Sequence, residues 1–120
     1  MKNRRRRAWR RGRVAELLCV GHLMLRGYRI VGRRLRYPVG EIDIVAHRGG
    51  TLAVIEVKWR PDAGQGAEAV TARQRSRIAR ATEWLLAERP RLQALTVRFD
   101  VMTVAPLRAP QHLRDAWRPE

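Results

Sequence analysis

One cysteine in 120 residues, Cys19, leaves no partner for an internal disulfide, and that scarcity suits a reducing cytoplasm. It also argues against zinc, because His22, His47 and His112 show no paired ligand spacing. Lysine is nearly missing: of 26 Lys and Arg residues only Lys2 and Lys58 are lysine. Acids are few as well, 11 in all, and Glu16 is the only one in the first 40 residues. Long apolar runs are lacking, since Glu16, His22 and Arg26 interrupt the stretch after the basic start. Neither an exported leader nor a membrane span is therefore expected. No repeat is visible, and 120 residues at 45% hydrophobic have room for one core. The expected organisation is a flexible basic arm over 1–10 and a single α/β domain over 11–120.

What the chain has in excess is positive charge, +15 overall. The natural partner of such a chain is a polyanion, and nucleic acid binds through phosphates with a salt-sensitive, sequence-independent affinity. Arg4, Arg5, Arg6, Arg7, Arg10 and Arg11 would position such a partner from the arm. Arg73 and Arg77, with Arg75 and Arg80, read as a solvated or nucleic-acid-facing helix surface. Trp9, Tyr28 and Tyr37 are the aromatic candidates for stacking on an unpaired base, and each has an ordinary packing role as its alternative.

The chemistry concentrates in two short segments, Gly40-Glu41-Ile42-Asp43 and Ile55-Glu56-Val57-Lys58. Gly49-Gly50 between them is a hairpin signal. A turn centred there pairs residues whose numbers sum to 99, setting Asp43 opposite Glu56 and Glu41 opposite Lys58. Strand alternation then predicts that these four share an ionic face while Ile42, Ile44, Ile55 and Val57 share an apolar one. Like charges opposite one another destabilise a sheet, so Asp43 and Glu56 call for a cation, either Lys58 or a bound metal. Paired carboxylates suit a hard ion such as magnesium or manganese, which keeps waters and takes phosphate oxygens. Lys58 supplies a compact ammonium that arginine does not replace. A solvated hairpin face carrying salt bridges is the alternative.

Around the hairpin, Arg13 to Arg26 reads as a helix with Val14, Leu17, Leu18, Gly21, Met24 and Leu25 as its apolar stripe, and Glu16 off the centre of that stripe. Gly27 to Arg36 contains a strand. Trp59 to Gly66 is punctuated by Pro and Gly and reads as a loop. Thr71 to Glu88 forms a second helix through Ile78, Ala81, Trp84 and Leu85, stopped by Pro90. Gln74 has two readings, support for the active site or a capping box with Thr71. Leu95 to Val101 alternates as a strand, with Asp100 on its polar side, where an ion pair with Arg98 or a neighbour is expected and a further metal ligand is the alternative. His112 to Trp117 reads as a short helical turn packing through Trp117.

An acidic residue on one strand followed by Glu-X-Lys on the next resembles the PD-(D/E)XK nuclease superfamily. Gly12-Arg13-Val14-Ala15-Glu16, Gly40 to Val45, Val54 to Lys58 and Arg98-Phe99-Asp100-Val101 narrow the resemblance to the YraN-type family of small bacterial proteins, over about Arg11 to Val104. The chain departs from the superfamily in having no Pro before Asp43, Gly-Glu-Ile-Asp being the form of this family. The resemblance implies a mixed sheet flanked by helices, like the restriction-endonuclease and archaeal Holliday-junction-resolvase core. It implies Asp43, Glu56 and the backbone carbonyl of Val57 as metal ligands, Lys58 at the attacking water, Glu16 as a helix-borne carboxylate, and Glu41 as support.

These observations converge on a metal-dependent endonuclease for structured or branched DNA. The competing expectation is a non-catalytic adaptor that keeps the fold and binds DNA or RNA. A third, docking of the arm on anionic lipid, is weaker. Branched-site enzymes are often symmetric dimers, and the sequence shows no interface for a homodimer.

Overall fold

The computed structural model describes residues 2–60 and 70–119, with side chains from Gly12 onward. Helix α1 (Lys2–Leu25) leads into β1 (Arg29–Tyr37), β2 (Gly40–Arg48) and β3 (Thr51–Trp59). Helix α2 (Ala72–Glu88) and a 3-10 turn (Pro90–Ala94) then precede β4 (Thr96–Val104) and β5 (Gln111–Trp117). The five strands form one sheet in the order β1-β2-β3-β4-β5. Every neighbour pair is antiparallel except β3 and β4, which run parallel and need the α2 crossover between them. This is a mixed α/β sheet with a helix on each face, consistent with a restriction-endonuclease-like core.

Two apolar layers follow from strand alternation. Ile44, Ala46, Ala53, Ile55, Met102 and Val104 face α1 and pack on Ala15, Cys19 and Leu23. Val45, Leu52, Val54, Phe99 and Val101 face α2 and pack on Ile78, Ala81 and Leu85. Burial pushes the Cys19 thiol up to about 12, so it behaves as a small apolar residue. Gly40 is dictated by the second layer: a Cβ there would collide with the backbone carbonyl of Arg77, so α2 lies directly on the start of β2. Thr71 and Gln74 start α2 with a reciprocal capping box.

Three expectations are corrected. The stripe of α1 that meets the sheet is Ala15-Cys19-Leu23, displaced from the predicted one. Val14, Leu17, Leu18, Met24 and Leu25 stay exposed, Leu25 at 90%. Both stripes share the helical period, and the smaller side chains of Ala15 and Cys19 let the helix approach the sheet closely. His112 to Trp117 is not a helical turn but part of β5, held by pairing with β4, and Trp117 stacks on Phe99 with ring centroids 4.3 Å apart. On α2, Thr82 rather than Trp84 joins the buried stripe, its hydroxyl donating to the Ile78 carbonyl, while Trp84 is half-exposed beside Tyr37.

Candidate metal and phosphate-ester site

The Gly49-Gly50 turn closes the β2–β3 hairpin, with Gly49 at φ 58, a left-handed conformation that favours glycine. The register is the predicted one: Arg48 faces Thr51 and Ile44 faces Ile55. Pairing ends there. Beyond it the strands part, and the Asp43 carboxylate enters the fork, where its Oδ2 accepts a hydrogen bond from the Val57 N–H at 2.8 Å. A side-chain oxygen thus replaces a ladder carbonyl, satisfying a backbone donor and fixing the carboxylate.

At the same point β2 changes face. Ile42 belongs to the α2-side core and Ile44 to the α1-side core, although two residues along a strand normally share a face. Arg34, between the pairs Arg33–Ile44 and Leu35–Ile42, takes φ 48 and makes the matching change in β1. The predicted common face of Glu41, Asp43, Glu56 and Lys58 is therefore only partly formed. Glu56 and Lys58 share one, opposite Val57. Glu41 is turned away, exposed, and lies 3.7 Å from Arg36 on β1 instead of facing Lys58.

Asp43 and Glu56 nevertheless meet, each carboxyl group close enough to shift the pKa of the other. Burial raises both pKa values, and the neighbouring Asp43 charge helps push Glu56 up to about 8, against the pull of Lys58. Lys58 Nζ lies 3.3 Å from Glu56 Oε1, with both side chains about 15% exposed. Both shifts run towards the protonated form, and Lys58 offsets part of the charge of the pair.

Glu16 approaches from α1. It is 6% exposed, and burial raises its pKa against the lowering influence of Arg33 and Arg13. Arg33 and Arg34 each lie 3.5 Å from it, yet its buried Oε1 has no hydrogen-bond partner. Glu16, Glu41 and Asp43 line one cleft of about 260 Å³ together with Arg13, Arg34 and Trp59. Glu56 and Lys58 do not line this cleft, because they alternate with Ile55 and Val57, which face α1; Asp43 and Glu56 are the two adjacent carboxyl groups of the kind that suit a hard divalent ion. Among the described residues no three His, Cys, Asp or Glu side chains converge on one metal position, so waters and a backbone carbonyl such as that of Val57 would complete the shell.

Other sequence candidates are placed elsewhere. The Gln74 side chain accepts from the Thr71 N–H at 3.1 Å, completing the capping box rather than reaching the carboxylates. Asp100 is fully buried and gripped by Arg98 through both oxygens at 2.9 and 2.8 Å, with His112 and the Asp115 N–H as further partners. Burial works to raise its pKa, but the bonds from His112 and Arg98 outweigh it and hold the carboxyl low. Asp100 is thus the ion-pair anchor expected of it. Tyr28 is buried under the Arg48 guanidinium and bonded to Arg98. Arg73 and Arg77 are exposed on α2. The side chains of Arg4, Arg5, Arg6, Arg7, Trp9, Arg10 and Arg11, and the loop over 61–69, lie outside the described residues. Sequence reasoning missed the Arg33–Arg34 clamp on Glu16, and nothing in the local pattern marks Arg34 for a left-handed backbone.

Known proteins resemble this chain over most of its length. A UPF0102 protein of Parvibaculum lavamentivorans is 51% identical over 112 residues, 93% of this chain and 84% of the relative. One of Caulobacter sp. (strain K31) is 50% identical over 106 residues, 88% and 76% of the two chains. One of Maricaulis maris is 44% identical over 119 residues, covering 99% and 94%. The model of the uncharacterised protein family UPF0102 matches residues 15–104, a span containing Glu16, Asp43, Glu56 and Lys58, and the chain belongs to that family.

Proposed function

We propose that this protein is a metal-dependent nuclease that hydrolyses phosphodiester bonds in structured or branched DNA in the cytoplasm. The observation that carries the reading is the buried Asp43–Glu56 pair with Lys58 beside it, two adjacent acids in a chain of net charge +15. Structural carboxylates are ordinarily matched by cations, and two buried carboxyl groups with a single lysine beside them, in a protein so rich in arginine, form a site kept for another cation.

Asp43 and Glu56 hold the ion, the backbone carbonyl of Val57 adds a ligand, and the Val57 N–H fixes the orientation of Asp43. Bound magnesium or manganese supplies Lewis acidity at the phosphoryl oxygens. Lys58 orients the attacking water, and its ammonium favours the charge that gathers around phosphorus. Glu16, whose Oε1 lies 3.5 Å from Arg33 without a hydrogen bond, accepts a bond from a second water in the cleft. Arginines supply affinity without reading sequence.

Asp43→Ala and Lys58→Ala should each lower cleavage of flapped or four-way DNA at least about 100-fold while leaving binding within about twofold. Gel assays with magnesium, manganese or chelator, and anisotropy for binding, read the two properties separately. Equal cutting by wild type and both variants would locate the activity in a contaminant.

The absence of a third converging ligand among the described residues favours one other reading, a basic adaptor that holds DNA or RNA without cutting. Calorimetry with magnesium or manganese and no nucleic acid separates the two. Metal heat that vanishes in Asp43→Ala belongs to the nuclease; salt-sensitive nucleic-acid binding without metal heat belongs to the adaptor.

A further inference from the structure

A second cleft lies at the other end of α1, on the same side of the sheet as the Glu16 cleft. Its volume is about 310 Å³, and its walls include His22 from α1, Arg26 from the turn that follows it, Arg48 from the end of β2, His112 and Arg114 from β5, and Tyr28 beneath. Among the described residues no carboxylate lines it. The nearest buried acid, Asp100, has both oxygens engaged by Arg98, His112 and the Asp115 N–H, and Asp115 is itself paired with Arg118. Among the described residues, Arg26, Arg48 and Arg114 form no ion pair.

Two of these guanidinium groups are set in place by neutral contacts. Arg26 Nε donates to His22 Nε2 at 2.8 Å, so this nitrogen of His22 acts as an acceptor. Burial and then the Arg26 charge lower the His22 pKa, which keeps the ring neutral and suited to that role. Arg48 donates to the Arg26 carbonyl at 3.1 Å and lies 4.4 Å above the Tyr28 ring. Each contact uses part of a guanidinium and leaves other N–H groups for the cleft. Three such forks without a counter-anion match a tetrahedral oxyanion, which accepts several bidentate bonds at once.

We infer that this cleft binds a phosphate group. If the nuclease reading holds, on which this assignment of source rests, the group is a backbone phosphate of the same strand, held away from the bond being cut. Glu16 lies on α1 and Arg26 in the turn just past its end, ten residues on and about 15 Å along the helix direction at 1.5 Å per residue. A strand that reaches both clefts would therefore span more than one nucleotide step. The cleft would thereby set which bond reaches the carboxylates.

The test uses the full chain, the Arg26→Gln/Arg114→Gln double variant and, as a single exposed reversal, Arg114→Glu. Inorganic phosphate is titrated against chloride and acetate at equal ionic strength while the His22 and His112 ring resonances are followed by NMR. Saturable shifts with phosphate, lost in the variants, are expected. No saturable shift, or an equal response to acetate, would overturn the inference. Anisotropy with the DNA substrate identifies the source. The double variant should bind about tenfold more weakly, with a logarithmic salt slope shallower by about one. Phosphate shifts with DNA affinity unchanged would assign the cleft to a small phosphorylated molecule. Phosphate shifts in a wild type that neither cuts nor binds nucleic acid would sink the nuclease reading while the cleft stands.

Discussion

A buried glutamic acid beside a second carboxylate is stable only while one of them keeps its proton. In the unfolded chain Glu56 titrates near its ordinary value of 4.5, and in the folded protein near 8. Because the folded pKa is the higher one, the stabilising contribution is complete below about 4.5 and is lost as pH rises towards 8. Glu56→Gln removes that loss. In metal-free buffer the variant should be more stable than wild type at pH 8, by on the order of 1 kcal/mol or more, with the advantage gone at pH 5. Thermal unfolding at both pH values checks this, and magnesium should restore the wild type alone. Asp100 has the opposite sign: its lowered pKa gives stability that is present above 3.8 and falls away in stronger acid. At this scale the sequence was informative where geometry is regular. The Gly49-Gly50 turn fixed the register, and with it the meeting of Asp43 with Glu56. It was silent where geometry is irregular: the face change at Asp43 and Arg34 sends Glu41 away from Lys58, and strict alternation has no means of anticipating it.

Helix α1 shows why an element's existence is easier to read than its orientation. Its 3.6-residue period was legible, but apolar residues lie on two stripes, and only packing selects Ala15, Cys19 and Leu23 over Val14, Leu17 and Leu18. β5 is hard to read in the sequence for a related reason. Its residues carry no clean alternation, and their strand conformation comes from the β4 edge they pair with, not from local preference. Helix α2 was legible because its signals agree: a capping box, a buried stripe and a terminating proline. Its contact with β2 gives a clean prediction. Gly40→Ala forces a methyl group into the Arg77 carbonyl, a backbone atom that cannot swing aside, and should cost about 1–3 kcal/mol in urea unfolding. Gly12→Ala has open space around its Cβ and should change stability by less than about 1 kcal/mol, in the favourable direction expected of alanine in a helix.

For the molecule as a whole, a formal charge of +15 on 120 residues acts against compactness and in favour of polyanion binding. Salt weakens both effects, with opposite results. Raising sodium chloride from about 0.02 to 0.3 M should increase the melting temperature by relieving self-repulsion, while nucleic-acid affinity falls steeply over the same range. Calorimetric melting and anisotropy on one preparation read the two trends; a melting temperature that fell with salt would show that native ion pairs outweigh the repulsion.

The sheet order has a consequence for how the chain assembles. Strands lie side by side in the sequence in which they are made, so each arriving strand meets its neighbour already waiting at an open edge. Short closures join β1 to β2 and β2 to β3, and the carboxylate hairpin is complete once Trp59 is in place. Only the β3–β4 pairing must bridge a long excursion, from Trp59 to Thr96, and the entropy of that loop makes it the late event of folding.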